Sequence, residues 1–136
     1  MDIEVDPLSP VPIYQQIRDR IVEGIGAGHL HRGDALTSVR ALASAFAINP
    51  ATVAKAYELL RSEGLVATNA KSGTFVARDR TGEPPSPQFV EDWTGRAYTL
   101  LAEGRARGLS TSSILEVVEQ LSARVDAGAS STVLQE

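Results

Sequence analysis

The side chains best suited to chemistry in this sequence are polar and basic groups near the middle of the chain. Asn49, Thr52 and Lys55 follow one another at short intervals, and Lys71 comes later. Amide, hydroxyl and ammonium groups donate hydrogen bonds to phosphates and to base edges. Catalysis is not indicated, because the chain has no cysteine and its two histidines lack an orienting carboxylate or a third metal ligand in the pattern. The sequence therefore predicts a binding protein that is not an enzyme, with no catalytic residues, no cofactor and no metal site.

Length and composition are those of a small soluble protein. The 136 residues are enough for one domain, or for one domain with an appendage. Hydrophobic residues make up 43% and charged residues 22%, which is ordinary for a globular protein. No apolar run approaches the roughly 18 residues of a membrane span, and the acidic N-terminus lacks the basic start of a signal peptide. We expect a cytoplasmic protein with no membrane partner.

The charge is unevenly distributed along the chain. The net charge of −4 by itself argues against a nucleic-acid partner. Residues 40–80, however, contain six basic and three acidic side chains, whereas residues 81–136 contain four basic and eight acidic ones. Exposed charges are screened beyond about 8–10 Å, so a partner responds to the local charge more than to the total. A basic segment followed by an acidic one indicates two separate roles in one chain.

Apolar spacing and capping residues predict three helices in the first half of the chain. They cover residues 12–26, 38–46 and 50–63. In the first of them, isoleucines recur at four-residue spacing, which places one apolar stripe along the helix. Ser38 and Asn49 are typical N-caps, Pro50 suits the first helical position, and Gly64 is placed to end the third helix.

A β-hairpin is predicted after the third helix. Leu65–Thr68 and Thr74–Ala77 are short β-prone runs on either side of a turn at Asn69–Gly73. Three helices followed by a hairpin is the order of a winged helix-turn-helix, in which the hairpin is the wing. We therefore predict a mainly α fold with a small β-hairpin, and a winged helix-turn-helix domain over residues 1–80.

A linker and two more helices complete the predicted organisation. Residues 81–86 are a proline-containing linker, 87–126 contain two helices, and 127–136 are a disordered tail. The fourth helix is expected to break at Gly104–Gly108, and either Ser110 or Ser113 caps the fifth. Two helices alone cannot close a core, so their apolar faces either fold back on the winged domain or pair with a second copy.

The start of the third helix is the candidate base-reading element. An α-helix fits the major groove of B-DNA and meets the base edges with its N-terminal residues. Asn49, Ala51 and Thr52 lie off the apolar side of this helix. The Ala51 methyl can touch a thymine methyl, Thr52 can donate to a phosphate, and Lys55 can reach the DNA backbone. A minor groove or a phosphate ridge suits the wing tip, which comprises Lys71, Ser72, Gly73 and Thr74.

A series of ordered motifs extends over residues 12–77. They are Pro12–Ile17, Gly26–Asp34, Ser38–Ala43, Thr52–Tyr57, Leu60–Leu65 and Gly73–Val76. Together they resemble the GntR family of bacterial transcription regulators. The Asn49–Val53 start of the third helix, the Lys55–Tyr57 run and the short two-helix tail are most similar to the YtrA subfamily.

The resemblance implies a sequence-specific DNA-binding transcription regulator. Such a protein would be a repressor that acts as a homodimer on a palindromic, double-stranded operator. Arg40 occupies the place of an arginine that contacts DNA in the family, and Ser38 belongs to the same motif. An ion pair with Asp34 or Glu63 is the structural alternative for Arg40.

The sequence departs from the family pattern at several positions of the second and third helices. Thr37 stands where a proline is usual, and Ala41 where a glutamate is usual. Many family members have basic residues at the positions of Pro50, Ala51 and Ala54. Fewer charges in the third helix predict weaker non-specific binding and a flatter dependence on salt.

The resemblance assigns the two-helix tail to dimerisation, since members of the family are dimers. The predicted interface residues are Phe89, Trp93, Ala97, Leu100, Leu101, Ile114, Val117, Val118 and Leu121. Two other functions stay open. One is a winged helix that binds a protein partner, and the other is a regulator that senses a small molecule at the tail or dimer seam around Trp93. The sequence identifies no particular effector.

Overall fold

Five helices and a two-stranded hairpin make up the described part of the protein. The computed structural model describes residues 3–134, with side chains over residues 3–128. The elements are α1 (Ile13–Gly26), α2 (Val39–Phe46), α3 (Pro50–Ser62), β1 (Val66–Asn69), β2 (Gly73–Val76), α4 (Pro87–Ala106) and α5 (Thr111–Leu134). One compact unit contains α1, α2, α3 and both strands, and a second covers Thr81–Ala127. Within residues 3–134, none of the helices combines the length and the apolar character of a membrane span.

The core of the first unit lies between α1 and α3. The isoleucine stripe of α1 is buried as predicted, and Ile17 and Ile21 are completely inaccessible. They belong to one cluster with Val53, Tyr57 and Leu60 of α3, which are also completely buried. Burying an apolar side chain of this size stabilises the fold by about 1.5–3 kcal/mol. Since α3 commits this face to the core, its opposite face is left for solvent or for a partner.

A short turn between α2 and α3 sets the direction of α3. α2 ends at Ala47, whose φ of 53° lies in the left-handed region. This conformation costs a residue with a Cβ roughly 1–2 kcal/mol, and Ile48 N compensates in part by donating to the Ala43 carbonyl at 3.0 Å. Asn49 then caps α3. The predicted helix-turn-helix is confirmed.

The wing is an antiparallel hairpin whose strands are shifted by one residue from the prediction. Val66 pairs with Val76, and the pairing continues to Asn69 and Gly73. The sequence placed these last two residues in the turn. They form the final pair because Asn69 Oδ1 accepts a hydrogen bond from Ser72 N at 2.6 Å and Gly73 adopts a φ of 66°.

A segment before α2 pairs with the inner edge of β2. Leu36 N donates to the Thr74 carbonyl at 2.8 Å, and Val76 N donates to the Asp34 carbonyl at 2.9 Å. The sequence indicated only a turn in this region, because the pairing joins residues far apart in the chain. Leu36 is buried there. One edge of the hairpin is therefore anchored by backbone bonds, and β1 is its outer edge.

The second unit differs from the prediction where its two helices meet. α4 continues through Gly104, which the sequence assigned to the break. A Cβ on Gly104 would lie 3.2 Å from Leu109 Cδ1, so the glycine lets the Leu109 side chain pack closely against α4. Ser110 Oγ accepts a hydrogen bond from Ser113 N at 3.1 Å. Ser110 is therefore the cap of α5, and the alternative cap at Ser113 is wrong.

α5 also extends farther than the sequence indicated. We predicted a helix to residue 126 and a disordered tail over 127–136, whereas α5 reaches Leu134. The extension is consistent with Ala127 and Ala129, because alanine has the highest helix propensity. Residues 135 and 136 of the predicted tail lie outside the described part of the chain.

The apolar sides of α4 and α5 lie at the surface of this chain. Ala97 and Ile114 are half-buried. The other predicted interface residues are between 42% and 66% exposed, namely Phe89, Trp93, Leu100, Leu101, Val117, Val118 and Leu121. Contiguous apolar surface of this kind is unusual on a monomer and indicates a partner.

Candidate nucleic-acid interface

The N-terminal end of α3 is open to solvent. Asn49 Oδ1 accepts a hydrogen bond from Ala51 N at 2.8 Å, and Pro50 occupies the first helical position, as the capping pattern predicted. Asn49, Pro50 and Ala51 are exposed, and Thr52 is half-buried. The helix therefore presents its first residues outward while the core holds the side that faces α1.

The cap determines how Asn49 can meet a partner. Its Oδ1 accepts from Ala51 N with one of its two lone pairs, and the cap leaves its amide nitrogen to donate to a ligand. An amide nitrogen carries two donors. Donors of this kind suit phosphate oxygens and the major-groove acceptors of guanine, adenine and thymine. The Asn49 amide nitrogen is therefore suited to donating to an acceptor on a base edge or to a phosphate.

Arg40 lies near the start of α2 and points to solvent. Ser38 caps this helix as predicted, with its Oγ accepting from Ala41 N at 3.1 Å. Ser38 and Arg40 are both exposed. The Ser38 hydroxyl hydrogen is still able to donate, and the Arg40 guanidinium carries five donors.

The ion pair that was the alternative for Arg40 does not form. Glu63 is engaged with Arg18, whose Nε donates to Glu63 Oε1 at 2.9 Å. The hydrogen bonds to Glu63 are the main cause that raises the pKa of Arg18 above its ordinary value. Asp34 instead accepts from His31 N at 2.8 Å. In the part of the chain that the structure describes, Arg40 makes no ion pair.

Lys55 is held by an aromatic ring of α1. Its Nζ lies 4.0 Å from the centroid of the Tyr14 ring. A cation over an aromatic face is attracted by about 0.5–1 kcal/mol at an exposed site. The contact keeps the ammonium at the surface of α3, one helical turn beyond Thr52. The sequence assigned Tyr14 only to the apolar side of α1, so this role was missed.

The wing tip carries a cation on an exposed turn. Lys71, Ser72 and Gly73 are exposed, and Thr74 is half-buried. The Oγ1 atoms of Thr74 and Thr68 lie 3.0 Å apart, across the two strands. Glycine is required at position 73 because its φ of 66° lies in the left-handed region.

Ion pairs neutralise several cations of the first unit. The paired ones are Arg18 with Glu63, Arg20 with Glu23, and Arg61 with Glu58. Among residues 3–128, Arg40 and Lys71 have no such partner, and Lys55 contacts a ring. The three cations that the sequence predicted for the site thus have no carboxylate partner among these residues, and neither does Arg32.

Arg61 is a second residue that sequence reasoning did not single out. Its Nη1 donates to Thr68 Oγ1 at 2.9 Å, which links the end of α3 to the wing. The spacing of Glu58 and Arg61 was a visible signal for a pair along one helix. The contact with Thr68 was not visible, because it depends on where the hairpin folds back.

The sequence of the first unit matches a known family. Residues 13–76 match the family described as bacterial regulatory proteins, gntR family. The HTH-type transcriptional repressor YtrA of Bacillus subtilis (strain 168) is 33% identical over 129 residues, which cover 93% of this chain and 96% of that protein. The chain belongs to the gntR family of bacterial regulatory proteins. The predictions of a gntR-family regulator and of its similarity to YtrA are confirmed.

Solved structures extend the gntR-family likeness to the tail. A protein from Listeria monocytogenes EGD-e, named a transcriptional antiterminator, has a TM-score of 0.83 at 27% identity, and the match covers 92% of each chain. YtrA from Sulfolobus acidocaldarius, named a GntR-family transcription factor, has a TM-score of 0.56 at 36% identity and covers 71% of this chain and 97% of its own. The first match includes the tail helices as well as the winged unit.

Proposed function

We propose that this gntR-family regulator represses transcription by binding a two-fold symmetric DNA operator as a homodimer. In this proposal α3, the recognition helix, enters the major groove with Asn49, Ala51 and Thr52 toward the base edges. Residues 1–80 bind DNA, 81–86 are the linker and 87–126 dimerise.

The cations around the recognition helix contact the DNA backbone. Arg40, with Ser38 beside it, approaches from α2, and Lys55 lies along the recognition helix. The wing tip lies in the adjacent minor groove or along its phosphates, through Lys71, Ser72, Gly73 and Thr74.

One observation carries this proposal: the start of α3 is capped and exposed, and the cations assigned to the site have no carboxylate partner among the described residues. Arg40 and Lys71 come from different elements and form no ion pair among the described residues. Phosphate is a strong hydrogen-bonding partner for an exposed guanidinium or ammonium. The net negative charge of the chain does not oppose this, because its acidic excess lies largely in residues 81–136.

The exposed apolar sides of α4 and α5 support the homodimer. Trp93 is 55% exposed and Leu121 is 48% exposed in the single chain. Pairing with a second copy would remove this surface from water. A two-fold axis would place the two recognition helices about 34 Å apart, which matches half-sites one turn of B-DNA apart.

We infer repression, and not activation, from a family relative of nearly the same length. Bacillus subtilis YtrA is named a transcriptional repressor, and the match covers almost all of both chains. A dimer bound to an operator can repress by occupying promoter DNA.

Binding isotherms at several salt concentrations test the proposal. They use the full chain and the DNA upstream of its own gene, by gel shift or fluorescence anisotropy. We expect binding that weakens with salt. Arg40→Ala and Lys55→Ala should each weaken it. The slope of log K against log salt should fall by about 0.9 for each phosphate that a variant no longer neutralises, close to two for a dimer.

Arg32→Ala is the matched control for these variants. Arg32 is exposed, and Gly33 next to it pairs with Val76 at the base of the wing, away from its tip. Removing this charge should change affinity little. A folded dimer that binds no DNA at low salt would overturn the proposal. A stoichiometric protein partner in its place would favour the protein-binding alternative, and ligand-dependent quenching of Trp93 would favour the sensor.

A further inference from the structure

A chain of side chains connects the end of the recognition helix to the outer edge of the wing. Arg61 Nη2 donates to Glu58 Oε2 at 2.8 Å, one turn earlier in α3. Arg61 Nη1 donates to Thr68 Oγ1 in β1 at 2.9 Å. Thr68 in turn lies 3.0 Å from Thr74 in β2, hydroxyl to hydroxyl. Four side chains from three elements are thus joined in series.

This series of side chains matters because of where it meets the hairpin. Thr68 and Thr74 face each other one pair before Asn69 and Gly73, which close the tip. β2 is anchored on its inner edge by the backbone bond from Leu36 to the Thr74 carbonyl. β1 is the outer edge. Among the described side chains of α3, Arg61 is the one that donates a hydrogen bond to β1.

We propose that Arg61 is a positioning residue for the wing. By tying β1 to the end of the recognition helix, it fixes where Lys71 stands relative to that helix. The inference rests on the proposed function, because position matters only if helix and wing contact one DNA duplex. Two contacts held on a rigid body form in one binding event, whereas a mobile wing must be ordered separately and weakens binding.

The geometry distinguishes this role from a direct contact of Arg61 with DNA. Its Nε and Nη2 are directed at Glu58 and its Nη1 at Thr68, so the planar fork bridges two protein groups. Its charge is also neutralised by Glu58. Three of its five donors are thus committed within the protein, which favours a positioning role over a phosphate contact.

Thr68→Val removes the link from Arg61 to the wing, together with the hydroxyl contact to Thr74, without changing any charge. Valine keeps the β-branched shape and the strand preference of threonine, and it lacks the hydroxyl that Arg61 holds. The matched control is Ser62→Ala, next to Arg61, because Ser62 Oγ donates within α3 to the Leu59 carbonyl and does not reach the hairpin. Thermal unfolding of each variant establishes that it is folded.

Operator binding of single and double variants is the first measurement. We expect Thr68→Val to weaken binding by about the same factor as Lys71→Ala, roughly tenfold, and to lower the salt slope equally. The double variant Thr68→Val/Lys71→Ala should bind no more weakly than Lys71→Ala alone. Losses that multiply in the double variant, or a silent Thr68→Val, would overturn the proposal.

Nitrogen-15 relaxation of the free protein is the second measurement, and it does not depend on DNA. The backbone order parameter of Lys71 should fall in Thr68→Val and stay unchanged in Ser62→Ala. An unchanged order parameter would overturn the positioning role. The order parameter could fall although the unmodified protein binds no DNA. In that case Arg61 does anchor the wing, and the proposed function is wrong.

Discussion

The Lys55 ammonium stands over the Tyr14 ring, with 4.0 Å between Nζ and the ring centroid. The contact joins the recognition helix to α1 beside the surface assigned to DNA. A lysine side chain loses about 2 kcal/mol of rotamer entropy when it is fixed in one geometry. Because the ring already restrains Lys55, less side-chain entropy remains to be lost when the ammonium binds a phosphate.

Tyr14 should therefore contribute to DNA binding without touching DNA. We expect Tyr14→Leu to weaken operator binding two- to fivefold, which corresponds to the strength of an exposed cation–π contact. Tyr14→Phe keeps the ring and should bind normally. Fluorescence anisotropy measures both, and Tyr14→Leu should have no effect in a Lys55→Ala background. An equal loss in that background would contradict the explanation.

Tyr57 should make the stability of the protein depend on pH in the alkaline range. Burial raises the pKa of Tyr57 from 10.0 to about 12. Between these values the unfolded chain loses the phenolic proton while the folded chain keeps it, so stability falls as pH rises from about 10 to about 12.

Tyr57→Phe provides the control for this pH dependence. The Tyr57 hydroxyl donates to the Thr37 carbonyl at 2.5 Å, so its removal should cost about 1 kcal/mol at neutral pH. Urea unfolding at a series of pH values measures both effects. The variant should lose less stability than the wild type across the alkaline window, and parallel curves would refute the assignment to Tyr57.

The recognition helix should read thymine methyl groups. Pro50, Ala51 and Ala54 are exposed and apolar. Replacing a contacted thymine by deoxyuridine removes one methyl and leaves every phosphate in place. We expect a loss of about 0.8 kcal/mol, close to fourfold, at the position that faces Ala51.

Ala51→Gly identifies the side chain that reads the methyl. This variant should bind operators with thymine and with deoxyuridine at that position equally well, although its affinity for both is lower. Operators with single deoxyuridine substitutions, titrated by gel shift, give the comparison. Equal affinity of the unmodified protein for every substituted operator would exclude methyl readout.

The tail should hold the dimer together through its exposed apolar side. Leu121 of α5 is 48% exposed in the single chain. Leu121→Glu would place a charge in the proposed interface and should yield monomers in sedimentation velocity, with operator affinity lowered more than tenfold. Glu119→Gln, an exposed change elsewhere on α5, is the control and should stay dimeric. A dimeric Leu121→Glu would place the interface elsewhere.

Local signals were sufficient to predict the elements of the winged unit. The caps at Ser38 and Asn49 act on amides two or three residues away, and the isoleucine stripe of α1 repeats within one helix. Some errors had local causes, such as the hairpin bounds that Asn69 and Gly73 set. Others depended on distant groups, such as the pairing of Leu36 with Thr74.

The sequence by itself determined which residues stand at the start of α3, because helix capping and periodicity are encoded over a few positions. It also identified Arg40 and Lys71 as candidate cations. Only the tertiary structure decided that Glu63 is taken by Arg18, which leaves Arg40 unpaired among the described residues. It alone decided that Tyr14 holds Lys55 and that Arg61 reaches the wing. These contacts join side chains from separate elements, and no local pattern specifies which elements will meet.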